Sequence, residues 1–408
     1  MHVDHQLRPD SKAAARFCRA LAKSNGVACK VLTIEVPRRR GESLEAAART
    51  ARYTAIAREL DADEWLVTAH HCDDQLETML LQLMRGSGVA GLAAMSELGR
   101  EPLPILRPLL AIDRDELEAW LRAEGASWVE DETNLDERFD RNYLRHRVVP
   151  LLRARWPAAA RVAARSAGHL GEAKQLLHEL AMLDLAHIAL DAAVDVYALQ
   201  ELSLARQRNV LRHWIALQGL STPDAVHLER IRYELPAARA DAQPVVRWEG
   251  GEVRRFRGAL YALASVPADG RENFDPARAQ RWNWRRQPRF QLGDGLGCLY
   301  WQEDPHGNVA RDTLPASLRV VRRHGGERLR TSAAGPRQSV KELLRAAGVL
   351  PWERERLPLL LDGDAVVAVA NLFVAAEYQY TNGERRDGER LRLVWEGAPT
   401  VLAVPRQR

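Results

Sequence analysis

Residues 64–84 read EWLVTAHHCDDQLETMLLQLM, and this stretch joins a strand pattern to a helix pattern. Residues 64–69 form a short apolar run of strand length, and residues 74–84 carry apolar side chains at helical spacing. In open α/β sheets, ligands bind where a strand ends and the next helix begins. We therefore expect the polar residues of this junction, 70–78, to lie at a ligand-binding site.

Two acidic residues of the junction, Asp74 and Glu77, are three positions apart, so a helix places both carboxylates on one face. This pattern leaves two interpretations open. The pair binds a substrate, or Asp74 caps the helix and Glu77 is its capping-box partner, which requires no substrate. His70 and His71 add ring nitrogens beside the carboxylates. Their spacing matches no closed set of metal ligands, so we expect no structural metal here.

The first 155 residues around this junction alternate between helix and strand patterns. Helices are predicted at residues 11–25, 43–60, 74–84 and 113–125, and strands at residues 27–36 and 64–69. This alternation indicates a parallel sheet covered by helices. Further along, residues 157–235 have helical spacing, short strand patterns follow residue 244, and a final module at 317–404 carries a predicted helix at 340–347 and a predicted strand at 365–369.

The composition is that of a multidomain globular protein: 408 residues, 46% apolar and 28% charged. No apolar run approaches the roughly 18 residues of a membrane helix, and the N-terminus lacks the apolar core of a signal peptide. We therefore expect a cytoplasmic location. The four cysteines include no Cys-x-x-Cys pair, which argues against a disulfide scaffold, a zinc knuckle or an iron–sulfur cluster.

Arginine dominates the basic residues, since only five of the 59 are lysines. Codon bias explains a preference for arginine, but it does not explain clustering. Residues 137–165 contain eight arginines and two acidic residues, and residues 319–356 contain nine arginines, Lys341 and four acidic residues. Each block has a formal charge of +6, above the +4 of the whole chain. Such local excess is typical of a surface that binds a polyanion.

Taken in order, several motifs closely resemble the tRNA(Ile)-lysidine synthetase family, which belongs to the N-type ATP pyrophosphatases. The resemblance covers nearly the whole chain. Its motifs are residues 2–8, 45–53, 70–78, 85–92, 131–134 and 141–145, and in the last module residues 323–329, 340–343 and 351–354.

The resemblance implies a fold and an order of domains. It predicts a Rossmann-like parallel α/β sheet in a catalytic domain at residues 1–155. A helical to mixed tRNA-binding region at 156–310 and a small α+β tRNA-binding domain at 311–408 follow. Members of the family are often dimers, so the resemblance also implies a homodimer.

The reaction implied is ATP-dependent ligation of L-lysine to C2 of the wobble cytidine in the isoleucine tRNA with a CAU anticodon. ATP adenylates the C2 oxygen, and the lysine amine then displaces AMP. Magnesium ions and cationic groups offset the charge on the transferred phosphoryl oxygens.

Residue roles follow from the family's motifs. Asp74 and Glu77 are expected to hold the lysine substrate, with His70 and His71 lining the same cleft. The loop after residue 85 is expected to shape the entrance for the flipped cytidine. The residues expected to contact ATP phosphates or tRNA are Arg49, Arg52, Arg85, Gly86, Arg141 and Arg145.

The sequence departs from the family at one motif. Family members open with a strand and a Ser-Gly-Gly-x-Asp-Ser loop that cradles the ATP phosphates, and no such sequence occurs here. Met1 coincides with the start of the expected second strand. We therefore expect the 408-residue chain to be a shortened form of a longer protein, without lysine- and tRNA-dependent release of AMP.

The sequence is also compatible with two other functions. A non-catalytic tRNA-binding remnant is compatible with the missing phosphate loop. A tRNA thiolase of the same superfamily is less favoured, because thiolases that use an iron–sulfur cluster or paired cysteines need thiols that this chain lacks.

Overall fold

A computed structural model describes residues 1–6, 11–37, 44–99, 103–129, 132–239, 242–264, 280–293, 296–380 and 390–398. The chain divides into two compact units, Met1–Glu179 and Leu180–Arg408. Among the described residues, no helix combines the length and the apolar character that crossing a bilayer requires. All four cysteines are free thiols.

The first unit alternates short strands with helices. Its strands are β1 (His2–Asp4), β2 (Val31–Thr33), β3 (Leu66–Val67), β4 (Leu98–Gly99) and β5 (Ile105–Leu106). Its helices are α1 (Ser11–Ser24), α2 (Leu44–Ala57), α3 (Cys72–Met84), α4 (Val89–Leu92), α5 (Arg114–Ala123), α6 (Asp140–Tyr143), α7 (Val149–Arg155) and the long α8 (Ala159–Ile188), which continues past the division.

The predicted parallel pairing is present, but the strands are short. β1 pairs with β2 in parallel, and β3 pairs with β5 in parallel while β4 joins β5 antiparallel. The strands predicted at 27–36 and 64–69 are therefore reduced to three and two residues. Among the described residues, the two sheets are separate and each parallel strand has few ladder partners.

A shared apolar core unites these two small sheets. Ile56 of α2 and Ile105 of β5 are buried together, and partly buried Val3, Leu32 and Leu66 from the other strands pack against the same cluster. Helix α2 thus covers strands of both sheets, as expected for an α/β layer.

The second unit contains three larger sheets and a set of helices. Its helices are α9 (Val196–Glu201), α10 (Leu204–Leu217), α11 (Ala225–Ala237) and α12 (Val340–Ala346). Its strands are β6 (Ala189–Leu190), β7 (Ala193–Asp195), β8 (Val245–Trp248), β9 (Gly251–Phe256), β10 (Ala259–Leu263), β11 (Gln280–Trp282), β12 (Arg289–Gln291), β13 (Cys298–Glu303), β14 (Val309–Ala310), β15 (Leu318–Arg322), β16 (Arg328–Leu329), β17 (Gln338–Ser339), β18 (Pro358–Asp362), β19 (Ala365–Val369), β20 (Phe373–Val374) and β21 (Arg390–Glu396).

The two largest apolar cores among the described residues of this unit lie against its sheets. The first lies under the β6-β7-β10-β9-β8 sheet, where α10 and α11 bury Trp214 and Ile231. The second lies among the β11-β15-β18-β19-β20 and β12-β13-β21-β14 sheets and buries Trp282 and Leu299. The helix predicted at 340–347 and the strand predicted at 365–369 are both present. The region predicted as helical at 157–235 is interrupted by β6 and β7, because residues 189–195 pair with each other and with β10.

Candidate functional site

The junction between β3 and α3 places its polar residues at the first turn of the helix. α3 begins at Cys72, two residues earlier than predicted, and His71 is its N-cap. The Asp74 carboxylate accepts a hydrogen bond from the His71 backbone N–H at 3.0 Å, which is the role of the third residue in a capping box. The interpretation of Asp74 as the cap with Glu77 as its partner is therefore wrong. The capping box lies three residues earlier, with His71 as the cap and Asp74 as its partner. Glu77 has no capping role.

Asp74 and Glu77 lie on one face of α3, as predicted, and both are buried, with Glu77 only 2% exposed. Two arginines from a later segment meet them. Arg141 donates Nη2 to Asp74 at 2.9 Å and Nε to Glu77 at 2.7 Å. Arg145 donates Nε and Nη2 to Glu77 at 2.6 and 2.8 Å. We call these four residues the acid–arginine cluster, and its formal charges cancel.

The local fold explains why both arginines reach Glu77. Helix α6 carries Arg141 and continues directly into a π-helical turn, Leu144–Val148, which carries Arg145. Residues four apart on a helix are neighbours, and π turns occur frequently at functional sites. The two guanidinium groups therefore face α3 side by side, with about a fifth of each side chain exposed.

The neighbouring acid, Asp73, serves the fold. It is 6% exposed, accepts a hydrogen bond from the Arg114 backbone N–H at 3.1 Å and pairs with the Arg153 guanidinium. These contacts attach α3 to the start of α5 and to α7. Local sequence patterns could not indicate this role, because the partners are 41 and 80 residues away along the chain.

His70 lies beside the cluster and is neutral at neutral pH. Its pKa is lowered to about 4, mainly by burial and also by the positive charges of nearby arginines. The negative charge of Asp74 acts in the opposite direction. Its Nδ1 is 2.7 Å from the Thr68 hydroxyl. His71 lies 3.5 Å from the Asp74 carboxylate through Nε2. Both histidines thus lie beside Asp74.

Three further arginines of the first unit have different surroundings. Arg49 is exposed, lies over the Tyr53 ring at 5.1 Å and is one of the charges acting on His70. Arg52 instead donates Nε to His5 at 3.2 Å. Arg107, which the sequence did not single out, is 7% exposed and donates to the Ser96 carbonyl at 2.8 Å. Its buried Nε has no hydrogen-bond partner among the described residues.

Arg85 and Gly86 lie at the far end of α3. Arg85 is the C-cap, and Gly86 has the positive φ (69°) that such an end requires. A 13-residue helix is about 20 Å long, so this pair is well separated from the acid–arginine cluster. Of the 131–134 motif, Asp131 lies outside the described residues, while the Asn134 carbonyl is 2.7 Å from His146 Nε2.

A groove of about 890 Å³ runs along the other side of α3 within the first unit. Residues 93–98 form one wall, and Gln75 holds this wall in place. The Gln75 side-chain N–H donates to the Met95 carbonyl at 2.6 Å, and its side-chain oxygen accepts from the Met95 N–H at 2.9 Å. The opposite wall is a face of α8 carrying Arg161, Arg165 and Lys174. Within the described part of the chain, no group of three or more His, Cys, Asp or Glu residues is arranged to hold a metal ion.

Three protein-family models match the chain. A PP-loop domain matches residues 1–152, a TilS substrate binding domain matches residues 195–261, and a TilS substrate C-terminal domain matches residues 318–395. A solved structure titled "Crystal structure of TILS C-terminal domain" aligns with 28% of this chain and 94% of its own, at 20% identity and a TM-score of 0.21, which is too low to add to the fold assignment.

Relatives align along almost the entire chain. The tRNA(Ile)-lysidine synthase of Alkalilimnicola ehrlichii is 42% identical over 389 residues, which are 94% of this chain and 85% of the relative. The synthases of Coxiella burnetii and Methylococcus capsulatus are 38% and 39% identical, over 93% of this chain and 83% and 86% of their own lengths. Identity of this level over this length confirms the resemblance of the motifs, and the chain belongs to the tRNA(Ile)-lysidine synthase family.

Proposed function

We propose that this chain serves the reaction for which its relatives are named, the ATP-dependent formation of a C–N bond between L-lysine and C2 of the wobble cytidine in the CAU-anticodon isoleucine tRNA. The observation that carries the proposal is the acid–arginine cluster. It combines buried carboxylates and guanidinium groups at the strand-to-helix junction of the PP-loop domain, where α/β sheets bind ligands.

The reaction has two balanced steps. First, the C2 oxygen of cytosine forms a bond to the α-phosphorus of ATP, and pyrophosphate leaves. The lysine side-chain amine then bonds to C2, the C2–O bond breaks, AMP leaves with that oxygen, and the nitrogen loses a proton. Adenylation is needed because an unesterified carbonyl oxygen is a poor leaving group.

The two acids of the cluster are proposed to bind the ammonium groups of lysine. Glu77 already accepts three N–H groups from two arginines, so an ammonium group reaches it only when Arg141 or Arg145 moves away. Asp74 is more available, because its second arginine, Arg145, is 3.6 Å distant. We propose that Asp74 meets the substrate first and that Glu77 holds the arginines.

The edge beside the cluster fits a phosphate-bearing ligand. Arg49 and Arg107 are cations, His70 is neutral, and the buried Arg107 Nε lacks a partner among the described residues. We propose that these groups face ATP phosphates. Magnesium commonly binds nucleotide phosphates together with only one or two protein carboxylates, so we propose that Mg²⁺ arrives with ATP.

The tRNA is proposed to contact the chain at several places. The groove along α3 is lined by residues 93–98 after the Arg85 loop and by three cations of α8, which fits an incoming nucleotide. We propose three functional regions, a catalytic domain at 1–155 and tRNA-binding regions at 156–310 and 311–408. A cytoplasmic homodimer is part of the same proposal.

We further propose that the 408-residue polypeptide alone does not complete the adenylation step, because its sequence contains no Ser-Gly-Gly-x-Asp-Ser phosphate loop. The test is an assay of AMP release by the purified chain with ATP, L-lysine and the isoleucine tRNA. We expect no release above a control without lysine. Robust lysine- and tRNA-dependent release would refute this part of the proposal and leave the ligase assignment intact.

One observation favours a second candidate, a tRNA-binding protein without catalysis. In the described structure, both carboxylates proposed for lysine are already neutralised by Arg141 and Arg145. Titration with ATP separates the two candidates, since a ligase site requires saturable ATP binding and the second candidate binds tRNA alone.

A further inference from the structure

The side chain of Gln75 binds the backbone of a loop 20 residues further along the chain. Its Nε2 donates to the Met95 carbonyl at 2.6 Å, and its Oε1 accepts from the Met95 N–H at 2.9 Å. One side chain thus satisfies both hydrogen-bonding groups of the Met95 backbone, as a neighbouring strand would. Gln75 is only 4% exposed, so these bonds are shielded from water. The contact therefore fixes the loop near the start of α3.

A second glutamine of α3 holds the beginning of the same segment. The Gln82 Oε1 accepts a hydrogen bond from the Ser87 hydroxyl at 2.6 Å. Residues seven positions apart are separated by about two helical turns, so Gln75 and Gln82 lie on one face of α3. Gly91 packs closely against Ser87, since a Cβ on Gly91 would lie 2.6 Å from the Ser87 Cβ. The chain that follows α3 therefore folds back along this face and is attached to it at two places.

Arg107 fixes the remaining part of the loop. Its Nη1 donates to the Ser96 carbonyl at 2.8 Å, and its backbone N–H donates to the Glu97 carbonyl at 2.9 Å. Between these attachments and Gln75, Ala94 has a φ of +50°, which is strained for a residue with a Cβ. Strained backbone persists only where the surrounding structure determines it firmly. The hydrogen bonds of Gln75 and Arg107 supply that determination, so the loop has a fixed shape.

The loop forms one wall of the groove along α3, and it offers acceptor groups there. Ser96 and Glu97 line the groove, and both are exposed. Cytosine carries an amino donor at position 4, where uracil carries a carbonyl oxygen. A carboxylate held at a fixed place accepts a hydrogen bond from the first base and repels the oxygen of the second. The shape of the loop therefore bears on the choice between the two bases.

The same part of α3 carries the carboxylate proposed for lysine. Gln75 follows Asp74 directly, and successive residues of a helix point about 100° apart around its axis. Asp74 is thus directed to Arg141, while Gln75 is directed to Met95. Orientation of two reactants is a large part of catalysis, and a displacement of about 1 Å can cost about 100-fold in rate. One rigid turn therefore relates the position of the lysine carboxylate to that of the groove wall.

We propose that Gln75 is a positioning residue that, through the loop at residues 93–98, fixes the wobble base relative to Asp74. The proposal rests on the proposed function in taking the groove to admit the wobble nucleotide. Gln75 acts through the backbone of Met95 and does not touch the reacting atoms. Its hydrogen bonds therefore contribute to the choice of cytosine at the wobble position and not to the affinity that all tRNAs share.

The test measures filter binding of the full chain to two isoleucine tRNA transcripts that differ only at the wobble base, with CAU and UAU anticodons. The variant is Gln75→Leu, which removes both hydrogen bonds at similar side-chain size. Gln207→Leu is the matched control. Gln207 is 5% exposed and donates to the Leu202 carbonyl at 2.7 Å, so the control also loses a bond between a buried glutamine and the backbone, but in the second unit.

We expect the wild type to bind the CAU transcript at least about tenfold tighter than the UAU transcript. In Gln75→Leu this preference should fall below about threefold while affinity for the UAU transcript stays unchanged, since a loosened wall no longer holds the acceptor in place. The control should keep the wild-type preference. A folded Gln75→Leu chain that retains the full preference, or that loses affinity for both transcripts equally, would overturn the inference and leave the proposed function standing.

Ala94→Gly decides the question if Gln75→Leu does not fold. This variant leaves the side-chain hydrogen bonds of Gln75 and Arg107 in place and frees the backbone of the loop, so the preference should fall about threefold. An unchanged preference would then overturn the inference. Equal binding of both transcripts by the wild type would overturn the inference and also count against the proposed function.

Discussion

Replacing Glu77 by alanine should lower the free energy of unfolding of the first unit by about 3–5 kcal/mol, the cost of removing one partner from a buried ion pair. Glu77 is 2% exposed and accepts hydrogen bonds from Arg141 and Arg145. Without it, the two guanidinium groups lie together with only Asp74 to offset them. Hydrogen–deuterium exchange of α3 peptides, measured beside calorimetric unfolding, reports the loss.

The chain offers a close control in Glu118→Ala. Glu118 also accepts hydrogen bonds from two arginines, Arg114 and Arg122, but all three side chains are at least a quarter exposed. Exposed pairs of this kind contribute about 0–1 kcal/mol. If the two alanine variants lose the same stability, burial is not what gives the acid–arginine cluster its strength, and our description of it is wrong.

Replacing Gly297 by alanine should unpair β13 from β21 at their shared end. Gly297 has a φ of +68°, and a Cβ there would lie 1.9 Å from the carbonyl oxygen of Glu396, which is backbone and cannot rotate away. Overpacking against backbone and a strained conformation together should lower the free energy of unfolding by about 3 kcal/mol or more. We expect a lower thermal midpoint and faster amide exchange in β13 and β21, whose Leu299 and Trp395 belong to the core.

The Gly363→Ala variant separates the cost of the left-handed backbone conformation from the cost of a steric clash with the neighbouring strand. Gly363 also has a positive φ, +56°, but a Cβ there meets nothing within 4 Å. This variant should lower the free energy of unfolding by only about 1 kcal/mol, the cost of the left-handed conformation. An alanine at 297 that is tolerated as well as one at 363 would contradict the close approach of the two strands.

Local sequence patterns predicted the secondary structure well where the hydrogen-bond partner is only a few residues away along the chain. The capping box of α5 is an example, since the Asp113 N–H donates to Glu116 three residues away. The predicted strand at 27–36 contracted to Val31–Thr33 because strand length depends on ladder partners that are distant in sequence. The break at β6 and β7 was missed for the same reason, since β7 pairs with β10 some 65 residues later.

Site residues divide in the same way. Spacing alone placed Asp74 and Glu77 on one face of α3, and the structure confirms that placement. Spacing could not reveal that Arg141 and Arg145 would meet these carboxylates, because 64 to 68 residues separate the partners. Arg107 had no motif around it, and only its burial beside the site identifies it.

Filter binding with tRNA tests whether the purified 408-residue chain recognises the proposed substrate. The measurement is filter binding with the CAU-anticodon isoleucine tRNA and with a tRNA of another anticodon, at fixed salt and beside a titration with ATP. We predict saturable binding of the isoleucine tRNA, at least about tenfold tighter than binding of the other tRNA. Failure to bind the isoleucine tRNA, or equal affinity for both, would contradict the claim that this chain recognises the substrate for which its relatives are named.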